Sequence, residues 1–183
     1  MFAPFFYDTS EQSSHVHAVT REPGARGGKG GIMRIGKLLC SVLLSIPILT
    51  SADVWHIKRV DYVPGTDTFV GAENCIKLDT SGTPHISYLD LECDSLKYSH
   101  WDGCGWAVER IDYTQGGSTC LVLDSSAHPH ISYYDYDAGD LKYAWFDGLS
   151  WQLEVVDSVG YVGSDNSIAL DANGEPHISY RDG

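Results

Sequence analysis

The sequence predicts an all-β repeat protein built from four-stranded antiparallel sheets. A thirteen-residue block occurs three times without a gap, at residues 78–90, 123–135 and 170–182, and eight of its thirteen positions are identical in all copies. The copies begin 45 and 47 residues apart, a spacing typical of repeats in which each unit is one small sheet. Between the copies, short runs rich in β-branched and aromatic residues alternate with turn residues, which predicts strands and hairpins.

Each repeat divides into four short strands. In the third copy, residues 167–171 lead to Asn173-Gly174, a strong hairpin signal because both residues tolerate positive φ, and residues 176–180 follow. In the preceding repeat, residues 141–146 meet Asp147-Gly148 and continue into 151–157. Four antiparallel strands joined by tight turns form one blade of a β-propeller.

The strand count predicts a partial β-propeller of about two and a half blades. Blade 1 is expected at about 74–112 and blade 2 at about 119–157, whereas blade 3 begins at about 166 and stops after its second strand. A lone outer strand at 55–61 precedes them. Because closed propellers usually have four to eight blades, we expect a fragment of a larger protein, in which missing blades or a second chain close the ring.

The first 52 residues differ from the repeats. Residues 1–32 show no periodicity and end in a Gly/Arg/Lys run, which predicts a disordered extension or an over-extended gene start. Residues 33–52 have the layout of a signal peptide, with a basic start, an apolar run too short to span a bilayer, and small residues at the end. Residues 53–183 are then the propeller part. We expect it to be secreted to the extracellular space or cell surface, with no membrane attachment after cleavage.

The charge of the propeller part limits its partners. The whole chain has a formal net charge of −13, and from Asp53 onward 7 Lys and Arg residues face 22 Asp and Glu residues. Such a surface repels the phosphates of nucleic acids and anionic membranes, so neither is an expected partner. Cations and neutral ligands such as sugars are compatible with it.

Acidic loops between the second and third strands are candidate calcium sites. Asp135, Asp137 and Asp140 form D-x-D-x-x-D, and one blade earlier Asp90, Glu92 and Asp94 form D-x-E-x-D. Alternating carboxylates place hard oxygen ligands on one side of a loop, as Ca²⁺ requires. A solvated acidic turn has the same pattern, so calcium is a hypothesis at Asp135, Asp137 and Asp140. No other cofactor is expected.

Repeated histidines and aromatic residues are the other candidates. His85, His130 and His177 stand at equivalent strand starts, where we expect hydrogen bonds to the neighbouring blade and not a shared metal ion. Several aromatic side chains either stack on sugar rings at the blade edges or fill the space between blades. They are Tyr88, Tyr98, Tyr133, Tyr134, Tyr136, Tyr143, Trp101 and Trp145.

Two cysteines occupy equivalent positions on the predicted inner strands. Cys75 and Cys120 correspond to each other, and Ser167 takes the same place in the third blade. A disulfide needs Cα atoms within about 7 Å, so the sequence leaves open whether the two are bonded. Cys93 and Cys104 lie at opposite ends of one strand and are not expected to pair.

The PHISYYD, LKYA, DGxxW and VD elements resemble secreted β-propeller repeats of bacteria and archaea that are related to the sialidase-like, or Asp-box (BNR), propellers. The resemblance covers roughly residues 53–183. The Asp box, S-x-D-x-G-x-T-W, lies between the third and fourth strands of a blade. Residues 102–106 and 147–151 take that place, but they lack one residue between Asp and Gly. The resemblance implies that Asp102 and Asp147 bind turn amides and are not catalytic.

The same resemblance bears on activity. Sialidases bind the substrate carboxylate with three arginines, whereas from Asp53 onward this chain has only Arg59, Arg110 and Arg181, the first two on outer strands. No motif of a serine hydrolase, a zinc protease or a phosphate-binding loop is present. We therefore predict a non-catalytic secreted module that binds carbohydrate or protein at a cell surface. The alternative is a fragment of a sialidase-like glycoside hydrolase without its catalytic blades.

Overall fold

The computed structural model describes residues 17–22, 54–61 and 70–183, which form strands and turns. No helix in these ranges is long and apolar enough to cross a membrane. The expected signal peptide at 33–52 lies outside the described residues. The strands are β1 (His17–Glu22), β2 (Val54–Arg59), β3 (Val70–Leu78), β4 (Pro84–Asp90), β5 (Ser95–Trp101), β6 (Trp106–Tyr113), β7 (Thr119–Leu123), β8 (Pro129–Asp135), β9 (Asp140–Phe146), β10 (Trp151–Asp157), β11 (Val162–Leu170) and β12 (Pro176–Asp182).

The first two strands pair with each other. β1 and β2 form a two-stranded sheet of their own. β1 lies within residues 1–32, where we expected a disordered extension or an over-extended gene start, and β2 overlaps the predicted outer strand at 55–61. β1 carries no copy of the repeat, so the sequence offered no signal for it.

The remaining strands form the predicted blades. One four-stranded antiparallel sheet has the order β3-β4-β5-β6, a second contains β7 to β10 in chain order, and β11 pairs with β12. The first strands of the three sheets, β3, β7 and β11, lie side by side. The prediction of an all-β, partial β-propeller with about two and a half blades is confirmed.

Two inner strands begin four residues earlier than predicted. β3 starts at Val70 and β11 at Val162, and the pairing register shifts within each of them. Glu73 and Asp165, at equivalent positions in these shifts, have positive φ angles of 48° and 52°. A β-bulge inserts an extra residue into one strand without breaking the sheet, which explains why a plain alternation pattern missed these starts.

The apolar core lies between blades 1 and 2. A contiguous cluster of buried side chains joins Leu89, Leu96, Tyr98 and Ile111 of blade 1 to Leu121, Ile131, Tyr133 and Ala144 of blade 2. Each sheet therefore buries residues on the face that meets its neighbour.

A polar network joins the same two blades, and we call it the interblade latch. The Tyr133 hydroxyl donates to Asp112 Oδ2 at 2.7 Å, across the blade boundary. Lys142 Nζ donates to the same Asp112 oxygen at 3.1 Å and also pairs with the buried carboxylate of Asp135. A tyrosine and a lysine of blade 2 thus bind Asp112 of blade 1, and Asp135 of blade 2 pairs with that lysine.

The latch repeats with the sequence. One blade earlier, the tyrosine donates to its aspartate at 2.8 Å, and the lysine lies 2.8 Å and 2.7 Å from two carboxylates. One blade later, the tyrosine-to-aspartate bond is 2.7 Å. The residues are Tyr88, Asp61, Lys97 and Asp90 in the first case, and Tyr180 and Asp157 in the second. The strict repetition of Tyr, Lys and Asp in the sequence is therefore structural.

Candidate ligand-binding cleft between the first two blades

A cleft of about 220 Å³ lies between the outer parts of blades 1 and 2. Strands β5 and β6 of blade 1 supply one wall, and the turn before β8 together with β9 and β10 of blade 2 supplies the other. The cleft is lined by Tyr98, His100, Glu109, Ala127, His128, Pro129, Phe146 and Trp151. Aromatic rings and a few polar groups that converge on a small concavity are the usual composition of a ligand site.

The one carboxylate in this lining is fixed by the opposite blade. The indole Nε1 of Trp151 donates to Glu109 Oε2 at 3.0 Å. A carboxylate offers about four lone-pair positions, and this bond uses one of them. Glu109 is otherwise exposed, so it keeps the capacity to accept hydrogen bonds from a ligand.

Edge-to-face contacts between aromatic rings hold Trp151 in place. Its ring centroid lies 5.3 Å from that of Tyr98 at an interplanar angle of 67°, and 5.9 Å from that of Phe146 at 65°. Such arrangements are favoured by the ring quadrupoles. Trp151 also packs against the interblade core. Contacts from Tyr98 of blade 1 and Phe146 of blade 2 therefore hold the aromatic wall of the cleft.

A repeated turn positions His128 at the rim of the cleft. Asp124 Oδ1 accepts the backbone N–H groups of Ser126 at 2.7 Å and of His128 at 2.8 Å, and Ala127 adopts a φ of 65°. Asp124 Oδ2 also lies 3.3 Å from His128 Nδ1. The aspartates Asp79 and Asp171 cap the equivalent turns of the other blades in the same way.

Tyr98 in the cleft lining and His85 behind it are neutral at physiological pH. Burial, together with the nearby carboxylate of Glu109, raises the pKa of the Tyr98 hydroxyl. Burial, with a smaller contribution from His100, lowers the pKa of His85, whose Nδ1 shares a hydrogen bond of 2.5 Å with that hydroxyl. A neutral imidazole and a protonated phenol therefore support the cleft, and Glu109 remains its source of negative charge.

The candidate calcium residues are engaged in the latch and in turns. Asp135 is buried and pairs with Lys142, while its Oδ1 accepts the Asp137 N–H at 3.2 Å. Asp137 Oδ2 accepts the Gln115 N–H at 3.1 Å. Across the described ranges, no group of three His, Cys, Asp or Glu side chains is arranged to hold a metal ion. The structure does not bring Asp135, Asp137 and Asp140 together as a set of ligands, and calcium binding there stays an untested prediction.

The repeated histidines have a different partner from the one predicted. His85 and His130 are hydrogen-bonded to Tyr98 and Tyr143, each within its own blade and not to the neighbouring one. The reason is register, because β4 pairs with β5, and β8 with β9, so that each tyrosine lies close to its histidine. His177, at the third equivalent position, is exposed and lies 3.9 Å from Asp171.

Exposure separates the aromatic candidates into two groups. Tyr88, Tyr98, Tyr133 and Tyr143 are buried and fill the space within and between blades. Three others, Tyr134, Trp101 and Trp145, are half-buried, and Tyr136 is 63% exposed. Trp151 and Glu109, which form the core of the cleft, were not among the sequence candidates. The sequence feature that could have identified Trp151 is its position in the repeated DGxxW turn.

The turns that resemble an Asp box behave as the resemblance implies. Asp102 Oδ1 accepts the N–H groups of Cys104 and Gly105, both at 2.8 Å. Asp147 Oδ1 accepts those of Leu149 at 2.8 Å and Ser150 at 2.9 Å. These bonds confirm that both aspartates bind turn amides.

Two of the clefts that are larger than this one are formed mainly by strand ends and turns. One of about 480 Å³ lies between the hairpin turns of blades 2 and 3 and includes Asp124, His130 and Asp171. The other, of about 420 Å³, includes both bulge carboxylates, Glu73 and Asp165, together with Tyr134 and Tyr136. Neither combines several aromatic walls with a carboxylate held across a blade boundary, so the smaller cleft is the stronger candidate site.

No protein-family model matches the chain, and none of the curated proteins matches it. Among solved structures, a fucose lectin from Kordia zhangzhouensis in complex with methyl-fucoside is 26% identical over 58% of this chain and 81% of the lectin, with a TM-score of 0.44. An arginine-to-alanine triple mutant of AofleA from Arthrobotrys oligospora is 13% identical over 68% of this chain, with a TM-score of 0.46. The chain spans 39% of the length of AofleA.

Proposed function

We propose that this protein is a non-catalytic carbohydrate-binding propeller module that holds a sugar residue in the cleft between blades 1 and 2. The observation that carries the proposal is the Glu109 carboxylate, fixed at 3.0 Å by the Trp151 indole inside an aromatic-lined concavity. Sugars present hydroxyl donors beside apolar C–H faces. A carboxylate acceptor next to aromatic rings matches both features.

Size and charge define the class of sugar. The cleft, at about 220 Å³, is smaller than the roughly 300–1,000 Å³ of sites for drug-sized ligands, so it suits one sugar ring, such as the terminal residue of a glycan. Glu109 and the strongly acidic chain, with a formal net charge of −13, disfavour an anionic sugar. The proposed ligand is therefore a neutral sugar residue.

The proposed setting is outside the cell. A signal-peptide layout at 33–52 and an acidic propeller part support secretion, and the partner is then a glycan or a glycosylated surface protein. The proposal also takes the chain as part of a larger propeller, because its blades fall short of the usual four to eight.

The placement of the arginines does not favour the alternative, a fragment of a sialidase-like glycoside hydrolase. The Arg110 guanidinium lies over the ring of Tyr113 at 4.5 Å, and Arg181 bonds Ser164 and Asp165. Neither arginine lines the cleft. Only the turns held by Asp102 and Asp147 agree with the resemblance to Asp-box propellers.

Titration of neutral monosaccharides, followed by Trp fluorescence and by calorimetry, tests the proposal. Glu109→Gln keeps the shape of the side chain but loses its charge, and we expect at least about tenfold weaker binding, since hydrogen bonds to charged groups contribute about 1.5–3 kcal/mol. Trp151→Phe should weaken binding as well, because it removes the N–H that orients Glu109.

Glu154→Gln is the matched control. Glu154 is exposed and occupies the equivalent position one blade later, so its replacement should leave affinity unchanged. Equal affinity of the native protein, Glu109→Gln and Trp151→Phe, with all three folded by circular dichroism, would remove the cleft from consideration. Failure of every neutral sugar to bind would overturn the function itself.

A further inference from the structure

The two cysteines at equivalent positions of blades 1 and 2 lie next to each other. The Sγ atoms of Cys75 on β3 and Cys120 on β7 are 3.8 Å apart, and both side chains are half-buried. β3 and β7 are the inner strands of adjacent blades. The contact therefore joins blades on the side opposite to the outer-strand cleft.

Backbone and side-chain donors surround this pair. The Leu121 N–H donates to Cys75 Sγ at 3.2 Å, and the Cys75 thiol donates to Cys120 Sγ. This hydrogen bond from Cys75 lowers the pKa of Cys120 and raises that of Cys75. Additional hydrogen bonds from Ile168 and Ser167 of blade 3 also lower the pKa of Cys120. Cys120 is thus the more acidic of two adjacent thiols, and the more acidic thiol forms the attacking thiolate more readily in thiol–disulfide exchange.

We propose that Cys75 and Cys120 form a disulfide that links the inner strands of blades 1 and 2 in an oxidising environment. Bond formation needs the two sulfur atoms to approach from 3.8 Å to about 2.05 Å. Cys93 and Cys104, by contrast, are exposed and lie at opposite ends of β5, so they are not candidates for the same link.

The oxidant in this proposal is a small-molecule disulfide such as oxidised glutathione. The Cys120 thiolate attacks one of its sulfur atoms, which forms a mixed disulfide and releases one glutathione thiolate. Cys75 then loses its proton, and its sulfur attacks Cys120 Sγ and releases the second thiolate. The pair gives up two electrons and two protons, and glutathione disulfide becomes two molecules of glutathione.

The test uses the full chain with Cys40, Cys93 and Cys104 replaced by serine, so that only the pair remains. After incubation with oxidised glutathione under native conditions, alkylation in denaturant should find no free thiol. Mass spectrometry of a digest should find one peptide pair linked through Cys75 and Cys120. Because the link closes a loop of about 45 residues, the melting temperature should rise by on the order of 10 °C.

Cys75→Ser in the same background is the control. Ser167 fills this position in blade 3, so serine is compatible with the inner strand, and the variant should fold but show no shift on oxidation. Two thiols that remain fully alkylatable after oxidation of the native protein would overturn the proposal. So would a link that forms only in denaturant, because the folded geometry would then play no part in it.

Discussion

At the scale of single residues, the polar positions that are identical in the thirteen-residue block each make a specific bond in blade 2. In blade 2, Asp124 accepts turn amides, His130 bonds Tyr143, and Tyr133 and Asp135 belong to the interblade latch. Ser132 donates to an asparagine of blade 3 at 2.6 Å. These bonds commit the repeated block to structure within and between blades, so ligand specificity must come from positions that vary between copies.

Buried histidines predict a loss of stability in mild acid. The pKa values of His85 and His130 lie below the ordinary 6.5, in both cases because burial disfavours the charged ring. Below pH 6.5 the unfolded chain takes up protons that the folded chain excludes, so the free energy of unfolding falls as pH drops. The slope is at most about 1.4 kcal/mol per pH unit for each histidine. Urea unfolding between pH 8 and pH 5 measures it.

The double variant His85→Gln and His130→Gln should flatten this slope, because glutamine retains a hydrogen-bonding side chain but does not titrate. His177→Gln is the control, since His177 is exposed at the same repeat position. A slope unchanged in the double variant would show that other groups cause the acid sensitivity.

Asp79 contributes to stability in a separate, lower pH range. Hydrogen bonds within its turn lower the pKa of Asp79 to about 2, so its stabilising effect is lost below about pH 4.

At the scale of strands and turns, sequence patterns located the hairpins but not their geometry. The Asn173-Gly174 hairpin is present, yet only Gly174 has a positive φ, of 85°, and the turn spans the residues between Leu170 and Pro176. The Asp171 carboxylate stabilises this longer turn by accepting hydrogen bonds from the backbone N–H groups of Asn173 and Glu175. Side-chain capping of this kind competes with the two-residue turn that Asn-Gly alone favours.

Gly117, which precedes β7, lies where a larger side chain would clash with the backbone. Its φ is 118°, and a Cβ there would lie 2.1 Å from the Tyr134 carbonyl oxygen. We expect Gly117→Ala to destabilise the fold by more than about 3 kcal/mol, because a rigid backbone atom has to move. Gly82→Ala is the control, since Gly82 has a φ of 86° and open space around its Cβ. That variant should cost only about 1–2 kcal/mol, measured by chemical denaturation, and equal costs would refute the steric explanation.

At the scale of the whole molecule, the sequence predicted the repeated blades but not the contacts that join one blade to the next. The blade count followed from the thirteen-residue block. The latch links residues of different copies, and the sequence feature that could have revealed it is the Asp that recurs at or near the end of each outer strand, at positions 61, 112 and 157. The cleft gave a weaker signal, because Glu109 and Trp151 are 42 residues apart and their contact depends on how adjacent blades are packed. Sequence periodicity carries no information on that packing.

The latch predicts that blades 1 and 2 unfold together. Asp112→Ala removes the acceptor of Tyr133 and one of the two carboxylates at Lys142, at a site where the Asp112 side chain is 21% exposed. The ammonium group of Lys142 and the hydroxyl of Tyr133, both at least partly buried, then lack this partner. We therefore expect the free energy of unfolding to fall by about 2–3 kcal/mol. Asp157→Ala is the control, because the hydrogen bond between Asp157 and its partner Tyr180 at the equivalent position is exposed, and this variant should cost clearly less stability than Asp112→Ala. A double-mutant cycle with Tyr133→Phe should give a coupling of about 1 kcal/mol. A coupling near zero would mean that the tyrosine and the aspartate are adjacent but do not stabilise each other, and that the apolar core alone joins the blades.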